Sequence, residues 1–531
     1  MINQARVKRG TYFDSITLMR VARSLQTLAG VEDAALLMAT PANLQLLKEV
    51  GLAPFSGIAE APDADDVLMV VRASDEAHAE AALAEAEARL LPARETRMAS
   101  PGESEAYHAR QPHSLEEAHQ RQPLASIAVI SVPGSYAALE AQQALLAGLH
   151  VFLFSDNVDI ADEVALKGLG QERGLLVMGP DCGTARLNGV NLGFANVVPG
   201  GPVGLVGASG TGMQQVMCLL AQAGYGISQA IGCGGRDLSS EVGAITTLQG
   251  LRLLQEDPET RVIVLISKPP ARAVASRVLE YAASRNKPVV VIFVGAEPGA
   301  WQQQSGQQIF LAHTLTEAAR MAVEICETGL AAAATISQPV REESAVPLTG
   351  QPPYLAALFS GGTLCDEALH LWGNQLGPFY SNIPCNPNWK YQAGEQRPGH
   401  YALDLGADEY TQGRPHPMID PEARLKYLRV AANQPEIGVI FLDIVLGYCA
   451  HPDPANVYAP VIHEFLQQAR QAGRELHVVV SLCGTEDDPQ RLSRQEMKLR
   501  EAGAEIYLSN AEAAVHCLEL LRGSQDGRRG E

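Results

Sequence analysis

Apolar residues fall along this chain in two recurring patterns. Some form short unbroken runs; others return every three or four positions over a longer stretch. The first pattern predicts strands buried on both faces, the second amphipathic helices. In residues 1–98 the runs VEDAALLMAT and DVLMVVRAS predict strands, while SITLMRVARSLQTLAG and EAHAEAALAEAEARLL predict helices. Their alternation predicts a small α/β domain. The stretch 99–123 is polar and aperiodic and reads as a linker. From 124 to 200, SIAVISVPG and HVFLFSDNV predict buried strands, SYAALEAQQALLAGL a helix, and GLLVMGPDCGTA a strand running into a turn.

A new unit opens at 201 with VGLVGASGTGMQQV, a strand, a glycine-rich turn and a helix, and extends to 336 through QEDPETRVIVLIS and RNKPVVVIFVG. A Pro-, Gln- and Ser-containing linker spans 337–353. The same order then returns in 354–525: GASGTGMQQ stands beside FSGGTLCDE, and QEDPETRVIVLIS beside ANQPEIGVIFLDI. Two matches in one order predict a diverged duplication. The fold class expected is therefore multidomain α/β with parallel sheets.

Composition narrows the function. The chain has 531 residues, enough for three or four domains, and a net charge of −20. An acidic chain lacks the basic face a duplex nucleic-acid binder needs, yet a helix N-terminus within it still binds small anions. Nine scattered cysteines, with no Cys-x-x-Cys pair, suggest neither a zinc site nor a disulfide framework. The N-terminus lacks the apolar core of a signal peptide and no apolar run spans a bilayer. A cytoplasmic protein without membrane or nucleic-acid partners is expected, acting on a small molecule.

The turn Gly207–Gly212 follows a strand and opens a helix, so its N–H groups suit a phosphate. Gly207, Ser209, Gly210, Thr211 and Gly212 are the candidate donors, with Gly361, Gly362 and Thr363 as the second copy. The turn lacks the Lys-Ser/Thr close of a P-loop, and Ser209 or Thr211 also reads simply as a helix cap. Two such helix N-termini are placed to face one phosphoryl or acyl group from opposite sides. MGPDCGTA puts Asp181 and Cys182 at a strand's carboxyl end, where open α/β sheets bind ligands, and Cys182 is a candidate nucleophile. Arg236 in GGRDLSSEVG offers an anion clamp, with Asp237 and His416 as further substrate candidates, and the loop reads equally as a solvated one. The loops GRPHPMIDP and LGYCAHPDP carry His416, Asp420, Asp443, His451 and Asp453, with His451 the acid–base candidate. Glu486, Asp487 and Asp488 are a candidate magnesium site.

These segments resemble the succinyl-CoA synthetase superfamily of NDP-forming acyl-CoA ligases. VGLVGASGTG, GGRDL, LLQEDPETRVIVLIS and NKPVVVIFVG look like its α-subunit ligase domain, and the segment from DPEARLKYLRVAANQPEIGVIFLDIVLG to AGAEIYLS like its β-subunit carboxy-terminal domain. TYFDSITLM, LFSDNV, MGPDCGTA, GASGTG, GGRDLS, ISKPPA and RPHPMIDP are similar to the FdrA and YahF branch, over nearly the whole chain. The resemblance implies a Rossmann-like CoA-binding-type domain at 124–200 and two flavodoxin-like domains at 201–336 and 354–525. It implies CoA-type contacts at Val132, Pro133, Ser155 and Asp156 and phosphate as the occupant of the turns, while magnesium is read from the acidic triplet alone. It also implies partner subunits of a hetero-complex or a homodimer.

The chain departs from the ligases in several places. Their Gly-His-Ala-Gly phosphohistidine loop is replaced by AEPGAWQQQSGQQIFLAHT, in which His313 falls too late. The supporting glutamate is Gln215 in the first copy and Glu367 in the second, and no ATP-grasp domain is visible. For the FdrA branch the resemblance implies an oxamate carbamoyltransferase complex, in which oxalurate and phosphate give oxamate and carbamoyl phosphate. A ligase that takes its nucleotide-binding subunit from another chain, and a non-catalytic ligand-binding scaffold, are the alternatives.

Overall fold

The computed structural model describes residues 1–11, 13, 15–26, 28–58, 61–63, 66–90, 112, 114–296, 301, 308–329, 353–373, 375–391, 399–411 and 415–529. The chain divides into two compact units, Met1–Gln111 with Gln412–Pro415, and Pro112–Thr411 with His416–Glu531. In the first unit β1 (Ile2–Lys8), β2 (Val31–Met38) and β3 (Val67–Ala73) form an antiparallel sheet in the order β1-β3-β2. The central β3 is buried along most of its length, as its unbroken apolar run requires. Helices Ser15–Leu25 and Glu76–Arg89 are those the periodicity predicts, and the Asp75 carboxylate caps the second by accepting the His78 N–H.

The second unit holds three sheets. The first is parallel, β4 (Ile127–Ile130), β5 (His150–Leu153) and β6 (Val177–Met178), in that order. The second contains β7 (Thr184–Leu187), β8 (Val190–Gly193), β9 (Gly200–Gly207), β10 (Ile227–Gly232), β11 (Val262–Ser267), β12 (Val289–Phe293) and β13 (Ile309–Ala312). Its order is β13-β12-β11-β9-β10-β7-β8, with β9 to β13 parallel and the β7–β8 hairpin antiparallel to β10. The hairpin precedes residue 201, where the repeat pattern begins, yet belongs to this sheet. Short, partly exposed β8 has no unbroken apolar run to announce it.

The third sheet comprises β14 (Tyr354–Phe359), β15 (Phe379–Ser381), β16 (His400–Asp404), β17 (Ile437–Val445), β18 (His477–Cys483) and β19 (Glu505–Tyr507). It is wholly parallel, in the order β15-β16-β14-β17-β18-β19. Leaving aside edge additions, β10-β9-β11-β12-β13 and β16-β14-β17-β18-β19 are one topology twice. In each, the first strand lies where the chain reverses its winding, and a glycine turn leaves that strand's carboxyl end. The duplication read from the sequence is therefore present in three dimensions.

The helices Gly210–Gln222, Leu315–Thr328, Gly362–Gly373 and Asn510–Arg529 pack between the two large sheets. The apolar interior is continuous across the halves: Val203, Met213 and Leu315 of the first share one core with Leu355, Leu364, Phe441 and Leu518 of the second. Burial of this extent is the main stabilising term. Polar contacts repeat the symmetry. Gln215 donates to the Leu508 carbonyl at 2.9 Å, and Glu367 accepts the Leu315 N–H at 2.7 Å and the Asn510 amide at 2.8 Å. Each reaches the start of a helix in the opposite half.

Residues 99–111 and 113 of the expected first linker, and 337–352 of the second, lie outside the described residues. Residues Leu115–Arg121, expected as linker, form a helix capped by Ser114, whose Oγ accepts the Glu117 N–H at 3.1 Å. This helix buries none of its residues, so it has no apolar periodicity to read.

Candidate functional site

The two glycine turns meet. Gly207 ends β9, Ser209 caps the helix Gly210–Gln222 by accepting the Gly212 N–H at 3.1 Å, and Ser209 Oγ donates to Thr363 Oγ1 at 2.7 Å. The contact joins residues 154 apart in sequence. The turns lie so close that a Cβ on Gly361 would stand 2.7 Å from Thr211 Oγ1, and one on Gly212 would stand 3.1 Å from Thr363 Cγ2. Only glycine fits at either place. The juxtaposition expected of the two helix N-termini is thus a feature of the fold.

The turns differ in what fills them. In the second, the Asp443 carboxylate on β17 accepts the Ser360 N–H at 2.7 Å, the Gly361 N–H at 2.9 Å and the Ser360 hydroxyl at 3.1 Å. Asp443 is fully buried and paired with Arg424 at 2.8 Å. A Cβ on Gly362 would meet Asp404 Oδ2 at 2.6 Å and Lys268 Nζ at 3.4 Å. In the first turn the register sets Ile266 of β11 opposite Gly207, and no carboxylate reaches the N–H groups through the described side-chain hydrogen bonds. The Gly210 and Thr211 N–H groups precede the cap bond and have no acceptor within the helix. Beside them runs the segment MGPDCGTA: Thr184 Oγ1 stands 3.4 Å, and Gly183 Cα 3.9 Å, from the Cβ position of Gly210.

Around this junction lie groups with displaced titration. Asp181 keeps contact with solvent while protein crowds its carboxyl, and its backbone N–H donates to the Ser155 carbonyl at 2.9 Å. Burial raises its carboxyl to about 7, with Asp408 and Asp156 adding to the rise and Arg236 and Lys268 opposing it. Asp404 is raised to about 6 by burial, against the attraction of Lys268. Burial would lower Lys268, but Asp366, 3.0 Å away, and Asp404 hold its ammonium above the ordinary lysine value. Burial and Arg424 lower the His416 imidazole to about 4, so it is neutral at pH 7. Its Nε2 stands 2.7 Å, and Asp404 Oδ1 3.3 Å, from the Cβ position of Gly406, and its ring lies 5.5 Å from that of Phe194. Carboxylates displaced in this way are candidate functional groups.

Other expected residues have different surroundings. Cys182 is buried, its thiol donates to the Thr184 carbonyl at 3.6 Å, and burial pushes it up to about 12. Burial thus disfavours the thiolate that a nucleophile needs. Asp237 is fully buried, pairs with Lys167 at 2.7 Å and accepts the Thr247 N–H at 2.8 Å. It is an internal structural charge rather than a substrate contact. Arg236 is tied to Glu163 at 2.9 Å and donates to the Val158 carbonyl at 2.7 Å, although its field reaches Asp181.

His451 accepts the Asp453 N–H through Nδ1 at 3.2 Å, and its backbone N–H donates to the Met418 carbonyl at 2.7 Å. The backbone bond fastens the two histidine-bearing loops together. Asp453 caps the helix Pro454–Gln471 and binds Lys498 at 2.6 Å, and Asp420 accepts the Glu422 N–H at 3.1 Å. In the acidic triplet Glu486 accepts the Ser493 N–H at 2.9 Å, whereas Asp488 accepts from Asn196, Val197 and Thr485, so two of its three carboxylates hold protein donors. Among the described residues no cluster of three such groups forms a metal site. His313 is exposed and its N–H donates to Glu317 at 2.7 Å; 297–300 and 302–307 of the loop before it lie outside the described residues.

Val132, Pro133, Ser155 and Asp156 lie in the loops after β4 and β5. There a Cβ on Gly134 would stand 2.3 Å from the Asp156 carbonyl and 2.4 Å from that of Asn157, so the loops touch backbone to backbone. Asp156 stands close enough to add to the raised carboxyls of Asp181 and Asp408 at this end. Lys268, Asp366, Asp404, Asp408 and Thr184 were missed as site residues by the sequence reading. Lys268 lies in ISKPPA and Thr184 in MGPDCGTA, both visible as motifs; Asp404 ends a strand with no distinguishing spacing.

A fold of doubled parallel sheets with paired glycine turns at their carboxyl ends defines an acyl-CoA synthetase-like protein, and comparison with known proteins agrees. A CoA-ligase family model matches residues 358–517, a CoA-binding-domain model 200–295, and a model described as AllF, heavy metal-associated domain, 1–107. The CoA-binding match covers β9 to β12 of the seven-stranded sheet, whereas the CoA-type unit expected from the sequence is 124–200. The chain is 40% identical to YahF of Escherichia coli strain K12 over 97% of its own length and 98% of that protein's. The chain therefore belongs to the YahF family of the acyl-CoA synthetase-like superfamily.

It is also 29% identical to the ADP-forming succinate–CoA ligase subunit alpha of Staphylococcus epidermidis, over 36% of this chain and 65% of that one. Among solved structures, PH0766 of Pyrococcus horikoshii OT3 matches with a TM-score of 0.31 and 15% identity, covering 75% of this chain and 83% of that chain. The metal named in the N-terminal family does not fit here. Residues 1–107 contain no cysteine, and the buried Asp66 carboxylate is occupied by Arg9 at 2.9 Å and by the Gly10 and Asp63 N–H groups. No helix among the described residues is long and apolar enough to cross a membrane.

Proposed function

We propose that the crevice where the two turns meet holds phosphate against the carbonyl of a small acyl or carbamoyl substrate. On this reading the chain is a transferase subunit of an oxamate carbamoyltransferase-type complex in ureide nitrogen catabolism. The observation that carries the reading is the direct Ser209–Thr363 contact between the turns, beside carboxylates that take up protons near neutrality. A phosphate oxygen attacks the ureido carbonyl of oxalurate, the C–N bond to oxamate breaks, and the departing nitrogen takes a proton. The products are oxamate and carbamoyl phosphate.

Asp181, near half protonation at pH 7, is the group assigned to deliver that proton. Fixed N–H donors stabilise charge on the incoming phosphate, and positioning supplies much of the rate. No step requires a nucleotide, CoA or a phosphorylated histidine, and the AEPGAWQQQSGQQ segment has no histidine to offer.

The test is to purify the chain with the products of neighbouring genes and measure carbamoyl phosphate formed from oxalurate and phosphate. Phosphate-dependent release supports the proposal. Formation of an acyl-CoA that depends on nucleotide and CoA, with no carbamoyl phosphate, overturns it in favour of an acid–thiol ligase with a separate nucleotide-binding subunit.

A further inference from the structure

The two turns descend from one pattern, yet their surroundings make them unequal as anion sites. In the second turn an anion is already built in: Asp443 accepts two backbone N–H groups and the Ser360 hydroxyl, and Arg424 balances its charge. Asp404 and Asp366 stand in front of the same helix start, with Lys268 between them. A further anion arriving there would meet three carboxylates against two cations, and Arg424 is wholly buried behind the turn. The register explains the difference. Leu358 pairs with Leu442, which sets Asp443 beside Phe359, whereas Ile266 occupies the matching place beside Gly207.

The first turn has no such internal carboxylate. Its cap Ser209 satisfies only the Gly212 N–H, leaving those of Gly210 and Thr211. A second observation concerns the other wall. Thr184 is buried to within 1% of its surface, and its hydroxyl has no hydrogen-bond partner. That hydroxyl stands 3.4 Å from the Cβ position of Gly210, against the start of the helix. A buried hydroxyl left without a partner costs stability unless a ligand takes it up.

We infer that the chain binds one tetrahedral oxyanion, and that the first turn alone receives it, through the Gly210 and Thr211 N–H groups and the Thr184 hydroxyl. Asp443 is the permanent occupant of the second turn, whose task is to support the first through Thr363. This inference rests on the phosphate reading above and adds to it the stoichiometry, the side of the crevice and a donor outside both turns.

The test is titration of the full chain with inorganic phosphate, followed by calorimetry and by phosphorus NMR. One phosphate per chain is expected. Thr184→Val, which keeps the volume and removes the hydroxyl, is expected to weaken binding about tenfold or more, because hydrogen bonds to charged groups are the strong ones. Thr184→Ser is expected to stay within about threefold of the parent. Gly210→Ala is a second probe, since the spacing there accepts a methyl group that then screens the hydroxyl from the turn.

Unchanged affinity in both Thr184→Val and Gly210→Ala overturns the inference while leaving the phosphate reading intact, as does a stoichiometry of two. If the parent chain binds no phosphate, both fail together.

Discussion

Replacing Asp404 by asparagine tests the electrostatics of the crevice directly. The Asp404 carboxyl is buried at the end of β16, accepts the Gly406 N–H at 3.0 Å, and titrates at about 6 in place of its ordinary 3.8. Burial is the main cause, and Lys268 opposes it. A raised acid binds its proton more tightly in the folded state, so folding carries no charge cost below pH 4. The cost grows as pH rises from about 4 through about 6 and is complete above that. The displacement corresponds to about 3 kcal/mol.

Asparagine stays neutral, keeps an acceptor for Gly406 and has nearly the same shape. Asp404→Asn should therefore raise the melting temperature by an amount on the order of 5 °C at pH 8 and by almost nothing at pH 4. Scanning calorimetry of both proteins across that range measures it. An equal gain at both ends, or a loss at pH 8, would refute the reasoning, because a packing effect does not follow the titration of one carboxyl.

Other substitutions have equally definite outcomes. Ser209→Ala removes a helix cap and the contact between turns, and should cost about 1–2 kcal/mol in denaturant unfolding. Lys167→Met leaves Asp237 buried without its cation, while Glu163 keeps Arg236, and should destabilise by about 3–5 kcal/mol, seen as a lower urea midpoint. Cys182→Ala should leave turnover of the purified complex unchanged when carbamoyl phosphate release is followed, since the thiol is neutral and buried. Asp181→Asn should lower that turnover at least tenfold, about 1.4 kcal/mol, and abolish any pH dependence near 7; a retained profile would remove Asp181 from the reaction.

Much of the architecture was legible in the sequence because it depends on local pattern. Unbroken apolar runs such as VIVLIS and VIFLDI mark strands covered on both faces, and GASGTG and FSGGT mark the turns that leave them. Both copies of the turn, and their order within a duplicated unit, needed only the chain itself. What depended on distant partners was hidden. Asp443 reads as a polar residue at a strand end, and only the pairing of β14 with β17 carries it beneath Ser360 and Gly361. Cys182 and Asp237 have the residue types of a nucleophile and a substrate contact, and burial disfavours the thiolate of one and makes the other half of an internal ion pair.

The division has one physical cause. Backbone conformation and apolar periodicity are set by neighbours along the chain, so the sequence by itself determined the buried strands, the amphipathic helices and the two glycine turns, but not the exposed β8 or the helix Leu115–Arg121. The charge, protonation and availability of a side chain are set by whatever packing brings against it. Tertiary structure alone decided that the turns touch, that Asp443 occupies the second, and that Thr184 stands without a partner beside the first.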